Sequence, residues 1–487
     1  MGRKTRRDFL KSSAKLAAVS SAACASRPHA ALSPRPNILF FFPDQQRYDW
    51  TGTTPGLDVH TPNLVALAER GARFTRAWCP SPLCAPSRAC LASGKEYDRC
   101  RVASNAVDYP LDQTTMYQLL RDTDYHVMGC GKFDLHKASP TWGLRGDHLV
   151  EEWGFSDGID NAGKWDAINS GSETPRDPYM AYLHERDLAS VHVADFNRRR
   201  REGGYRATFP TPLPEDAYCD NWVAANGLEL LKRSPQGKPW FLQVNFTGPH
   251  SPMDITKRME ASARGRRFPQ PNRTTQFDAE THNAIRENYT AMVENIDRWV
   301  GVYLHELEVR GDLANTVVVY SSDHGEMLGD KDMWGKSKPE QPSVGIPLLM
   351  AGPGIEYGVV SSAPVNLVDL TATFLEFGQL SQPIDMEGVS LGPVLRGEQE
   401  RNRDHMFSGL HNWRAVSDGP HKLIVRIHGQ RAPGAAEFVD RLARSTDVDL
   451  YDLDEDPGEN RNLAPETPSI VARLREVLLD QVLGTSS

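Results

Sequence analysis

The sequence predicts an α/β fold: a large unit with a mostly parallel central sheet flanked by helices, plus a small C-terminal α+β subdomain. Three observations predict it. Continuous apolar runs at residues 37–42, 240–246 and 316–322 each stop at a turn signal: Pro43-Asp44, Thr247-Gly248-Pro249-His250 and Asp323-His324-Gly325. Runs of this length without polar alternation fit strands buried on both faces. Helical periodicity intervenes, notably at 61–70 and 283–307, and strands alternating with helices indicate a parallel sheet. Finally, 39% hydrophobic and 24% charged residues are ordinary for a soluble globular protein, which excludes a disordered chain, a fibre and a polytopic membrane protein.

Taken in order, the folded part opens at Arg35-Pro36 with the first run. Residues 147–214 are polar with little periodicity, and the run Arg198-Arg199-Arg200-Arg201 within them reads as a solvated loop or helix face. Residues 261–273 read as a loop and 364–377 as a helix after a turn. Short strand-like pieces at 413–416 and 422–425 then precede a helical pattern at 468–483. The expected division is 35–400 for the large catalytic domain and 401–487 for a subdomain with a small antiparallel sheet and helix. Polar residues fall at the carboxyl ends of the three runs, the edge where open α/β sheets bind ligands. Against 55 basic residues stand 64 acidic ones, a net charge of −9. That balance argues against nucleic-acid binding, and an anionic ligand would need a local cluster of cations.

The N-terminus reads Arg6-Arg7-Asp8-Phe9-Leu10-Lys11, then a weakly apolar stretch over 12–25. This resembles a twin-arginine export signal, assigned to residues 1–33, with Ala23-Cys24-Ala25 as the cleavage site. The residues before Cys24 make a poor lipobox, so a lipid anchor is not favoured. No other segment approaches the length of a membrane span. The expected location is periplasmic or secreted, with the twin-arginine machinery as an export partner. Six cysteines would remain after cleavage. An oxidising compartment permits disulfides, but no C-x-x-C pair suggests zinc.

The segment Cys84-Ala85-Pro86-Ser87-Arg88, followed by Leu91 and Ser93-Gly94, carries the chemistry. Asp44-Gln45 ends the first run, Asp323-His324-Gly325 ends the third, and Gly335-Lys336 precedes Ser343-Val344-Gly345-Ile346-Pro347-Leu348. Gly131-Lys132 and Pro249-His250-Ser251-Pro252 complete the set. Together these resemble the type I, formylglycine-dependent sulfatases of the alkaline-phosphatase superfamily, over residues 37–463. The resemblance implies an alkaline-phosphatase-like fold and sulfate-ester hydrolysis. It implies conversion of Cys84 to formylglycine by a formylglycine-generating enzyme or an anaerobic maturase, and one calcium ion held by Asp44, Gln45, residue 84, Asp323 and His324. It further implies that Arg88, Lys132 and Lys336 meet the sulfate and that His250 protonates the leaving oxygen. The usual His two residues after the Lys is Asp134 here. His136, two further on, is the candidate for its role, with Asp134 as the alternative.

These residue types suit the reaction. A sulfate monoester is a poorly electrophilic anion, so its cleavage needs an activated oxygen, positive charge on the sulfuryl oxygens and a proton for the leaving alkoxide. The expected substrate is a sulfated carbohydrate, with Trp142, Trp165, His411, Trp413 and Arg414 as sugar-subsite candidates. The alternatives are a phosphonate monoester or phosphodiester hydrolase, and a non-catalytic glycan-binding relative.

Overall fold

The computed structural model describes residues 35–428 and 435–484. The export signal and Cys24 lie outside the described residues. The chain builds strands β1 (Asn37–Phe41), β2 (Ala72–Phe74), β3 (Ala77–Trp78), β4 (His126–Gly131), β5 (Asp157–Asp160), β6 (Trp240–Asn245), β7 (Thr316–Ser321), β8 (Leu348–Ala351), β9 (Val359–Ser361) and β10 (Val365–Asn366). Eight of them form one sheet in the order β5-β4-β6-β1-β7-β8-β2-β9. Pairing is parallel from β5 through β7, and β8 runs antiparallel to both neighbours.

Alternation along β1 shows why the run is apolar throughout. Ile38, Phe40 and Phe42 enter one core with Val317 and Val319, while Leu39 and Phe41 enter the other with Val318 and Tyr320. The central strands are buried on both faces, as the uninterrupted runs require. The helices Pro62–Glu69 and Ala279–Arg310 fall where periodicity placed them.

Two expectations need correction. Residues 147–214 contain three helices, Gly163–Gly171, Pro178–Glu185 and Ala189–Arg201. The arginine run ends the last of these, and Arg199 is wholly buried, donating to Asp195 at 3.0 Å, while Arg198, Arg200 and Arg201 stay exposed. Pairing rather than an apolar stripe carries that face inward, so hydrophobic periodicity does not register it. The basic stretch at 261–273 begins inside the helix Lys257–Ala263 and is irregular beyond it.

Strands β11 (Met406–Leu410), β12 (Trp413–Ser417), β13 (His421–Arg426) and β14 (Val448–Asp452) form an antiparallel meander. The helix Pro468–Leu483 covers one face through Leu474 and Leu478, against Val416, Leu423 and Val425. Ala415 and Ile424 of the other face join the main core. There the Lys422 ammonium pairs with Glu459 at 2.6 Å and lies 5.0 Å from the Trp78 ring centre. Among the described residues, no helix is long and apolar enough to cross a membrane.

Candidate active site

Four neighbouring strands, β4, β6, β1 and β7, present their carboxyl ends side by side. Lys132 follows β4, His250 follows β6, Asp44 and Gln45 follow β1, and Asp323 and His324 follow β7. Sheet order thus gathers residues that are far apart in the chain, at the edge where α/β sheets bind ligands.

Cys84 enters from the side as the first residue of the helix Cys84–Ser93, every residue of which is buried. Pro86 costs no bond in the first turn, where the N–H groups lack helical partners, and Gly94 closes the helix with φ 65°. The helix dipole favours negative charge at this end. The Lys336 ammonium donates to Cys84 Sγ at 2.9 Å, and His324 Nε2 lies 3.4 Å from the sulfur. Burial and Asp44 push the thiol up, but Lys132, Lys336 and His324 outweigh them, so Cys84 sits below the ordinary thiol range. Burial instead drives Cys79, Cys90, Cys130 and Cys219 upward. All six cysteines of the folded part are unpaired.

The ligating atoms of Asp44, Cys84, Asp323 and His324 all lie within 4.8 Å of one another. The Asp323 carboxylate accepts from the Gln45 and His324 backbone N–H groups, each at 2.9 Å, and from Arg88 Nε at 2.9 Å. His324 Nδ1 is 3.0 Å from the Gly325 carbonyl. A proton on Nδ1 donates there and leaves the Nε2 lone pair for the pocket. Gln45 has φ 69° and is buried. Its Nε2 donates to Glu326, while its Oε1 has no hydrogen-bond partner. A buried acceptor without a partner costs about 1–3 kcal/mol. Two carboxylates, an unpartnered amide oxygen and an imidazole nitrogen fit a divalent cation. The oxygens are the hard donors calcium takes, and the imidazole is the one donor outside that preference.

Positive groups surround the pocket. Lys132 donates to Asp44 and lies 3.0 Å from Asp134. Burial pushes its ammonium down, but Asp134 and Asp44 raise it well above the ordinary lysine value. The same cations, against burial, hold Asp44 well below the carboxylate range. Arg88 Nη1 also donates to the Lys132 carbonyl and, at 3.3 Å, to Asn245 Oδ1. His250 Nδ1 lies 2.6 Å from the Ser251 carbonyl. Burial, then Lys336, holds its imidazole well below the ordinary value.

Cys84, Asp44, Gln45, Asp323, His324, Arg88, Lys132, His250 and Lys336 therefore converge. His136 does not join them. It lies 3.7 Å from Asp108, with its ring 4.8 Å from that of His148, while Asp134 faces Lys132. Four of the sugar-subsite candidates are committed to packing. Trp142 and Trp413 are buried, Arg414 is tied to Asp98, and Trp165 packs on Phe196 under Arg200. Sequence reasoning missed Glu326 and Tyr205, which meet at 3.0 Å beside Gln45, and Asn105, whose Oδ1 accepts from the Ala85 N–H at 3.1 Å. Glu326 lies within the Asp323-His324-Gly325-Glu326 motif, so proximity in sequence was an available signal; Tyr205 and Asn105 carry none.

Residues 36–379 match the profile of the sulfatase family. The chain belongs to that family. It is a sulfuric ester hydrolase with an alkaline-phosphatase-like fold. Residues 329–483 also match the profile described as N-sulphoglucosamine sulphohydrolase, C-terminal. An arylsulfatase of Clostridium perfringens is 25% identical over 92% of this chain and 95% of its own length. An N-acetylglucosamine-6-O-sulfatase of Bacteroides thetaiotaomicron is 26% identical over 92% of this chain and 86% of its own. The phosphonate monoester hydrolase of Silicibacter pomeroyi superposes with a TM-score of 0.76 at 22% identity, over 93% of this chain and 96% of that one.

Proposed function

We propose that this sulfatase is exported by the twin-arginine route and removes sulfate from carbohydrate esters, using a formylglycine made from Cys84 and one bound calcium ion. The observation that carries the reading is Cys84 itself: a buried residue at a helix N-terminus, 2.9 Å from Lys336, sharing one 4.8 Å cluster with Asp44, Asp323 and His324. Residues 35–400 would form the catalytic domain and 401–487 the C-terminal subdomain. The carbohydrate class is supported by the Bacteroides relative, named for a sugar sulfate.

When present, the two groups supply a hydrated carbonyl oxygen as nucleophile and a Lewis acid at the sulfuryl oxygens. The chain's own residues do the rest. Asp44, Gln45, Asp323 and His324 would hold the cation. Lys132 and Lys336 draw the sulfate into an otherwise acidic protein and oppose the charge on its oxygens. Arg88 is tied through Nε to Asp323 and through Nη1 to the Lys132 carbonyl and Asn245, so it fixes the carboxylate, while its buried Nη2 has no partner and adds positive charge at the pocket. His250 keeps a proton on Nδ1 through the Ser251 carbonyl, which leaves Nε2 to carry the proton given to the leaving oxygen. Burial, and then the surrounding cations, keep that imidazole neutral, and an arriving sulfate anion opposes the cations and favours its protonation. Overall one ester oxygen gains a proton and sulfate departs with the oxygen of water.

Release of inorganic sulfate from sulfated oligosaccharides tests the reading, with Cys84→Ala as control. Sulfate release that stops in the variant is expected. Activity on an aryl sulfate but on no sulfated sugar would refute the carbohydrate assignment.

A further inference from the structure

Lys164 is the second residue of the helix Gly163–Gly171, in the stretch without readable periodicity. Its side chain is 2% exposed. The ammonium donates to Asp254 Oδ1 at 2.7 Å and to the His250 carbonyl oxygen at 3.1 Å, with Met292 Sδ at 3.4 Å. These three contacts match the three donors of a lysine. A buried ammonium must be paired, and Asp254 neutralises it. The bond to His250 is a further constraint, placed on the backbone of the residue whose imidazole faces the reacting groups. The following segment is held from other sides as well. Asn288 Nδ2 donates to the Met253 carbonyl at 2.6 Å and Tyr218 OH to the Asp254 carbonyl at 3.1 Å. The same helix start borders Lys132: at Gly163, φ 75°, a Cβ would stand 2.9 Å from Lys132 Cδ.

We propose that Lys164 is a positioning residue for desulfation: paired with Asp254, it holds the His250 carbonyl and so sets where the imidazole stands relative to the leaving oxygen. The proposal rests on the reading of His250 as proton donor. It implies a selective defect, because an alkoxide leaving group needs that proton whereas a 4-nitrophenolate does not.

The test compares kcat and KM of the full chain on hexyl sulfate and 4-nitrophenyl sulfate. A misplaced group costs about 100-fold, so Lys164→Met is expected to lose about that factor in kcat on hexyl sulfate, with KM and the 4-nitrophenyl rate little changed. Lys164→Arg, which keeps charge and donors, is expected to recover most of the loss. Lys164→Gln is read by the same criteria should Lys164→Met fail to fold. Equal losses on both esters, or none, overturn the proposal. His250→Ala separates the two claims. If it discriminates between the esters and the Lys164 variants do not, positioning is refuted and the proton donor stands. If His250→Ala treats both alike, the proton-donor reading falls, and the proposal with it.

Discussion

Replacing Glu326 by Gln probes how the cation pocket is kept in register. Glu326 Oε1 accepts from the Gly335 N–H at 2.6 Å and the Leu328 N–H at 2.8 Å. Its Oε2 accepts from Gln45 Nε2 and, at 3.0 Å, from Tyr205 OH. Glu326→Gln keeps the length of the side chain and the two bonds at Oε1. It places an NH2 group where Oε2 stood, donor against donor with the amide of Gln45. Gln45 relieves the clash by turning its amide over, which puts its own NH2 in place of the unpartnered oxygen. Losing such an orienting partner costs about 10–100-fold in metal affinity, or about 1.4–2.7 kcal/mol. Calcium titration of the full chain by calorimetry measures it, alongside the shift of thermal midpoint on adding calcium. We expect weaker binding by that factor and a smaller shift, with an unchanged melt in the absence of calcium. An unchanged Kd refutes the argument that Glu326 orients Gln45.

Lys336→Met removes the ammonium beside residue 84 and is expected to cost about 10²–10³-fold in kcat/KM. It also removes one of the groups depressing His250, so the limb on which kcat/KM falls with rising pH should move to higher pH; a limb that stays put contradicts the assignment. Glu96 is raised from 4.5 to about 7, chiefly by burial. The folded protein keeps this proton where the unfolded chain has lost it, so stability should fall as pH rises from about 4.5 to 7, by roughly 3 kcal/mol, and level off above. Denaturation across that range should show the slope in the parent and lose it in Glu96→Gln. Initial rates should be higher on 4-nitrophenyl sulfate than on 4-nitrophenyl phenylphosphonate, and the reverse order would assign phosphonate hydrolysis instead.

Much of the fold was legible because burial on both faces leaves an apolar run, as at β1, β6 and β7, and because each run leads into a turn that carries a candidate site residue. β4 was harder to read, since glycines at 129 and 131 stand where packed side chains would signal a strand. Close approach explains them: a Cβ at Gly131 would stand 2.0 Å from the Asn245 carbonyl oxygen. The helix Ala189–Arg201 was hidden because His192, Asp195 and Arg199 share its buried face with only Ala189 and Phe196. Site residues within short motifs could be placed. Their partners could not, because strand order decides that Lys132 reaches Asp44, and a helix from the polar stretch decides that Lys164 reaches His250. The same limit explains His136: sequence distance from Lys132 says nothing of the turn at Asp134, φ 54°, beyond which the ring faces Asp108.

The proposed chemistry turns on the state of residue 84. Mass spectrometry of the tryptic peptide spanning residues 77–88, taken from enzyme whose sulfatase activity has been measured, reads it directly. The expected mass is that of an aldehyde or its hydrate in place of the thiol, in a proportion that tracks specific activity. Full activity in a preparation whose Cys84 is entirely thiol would contradict it.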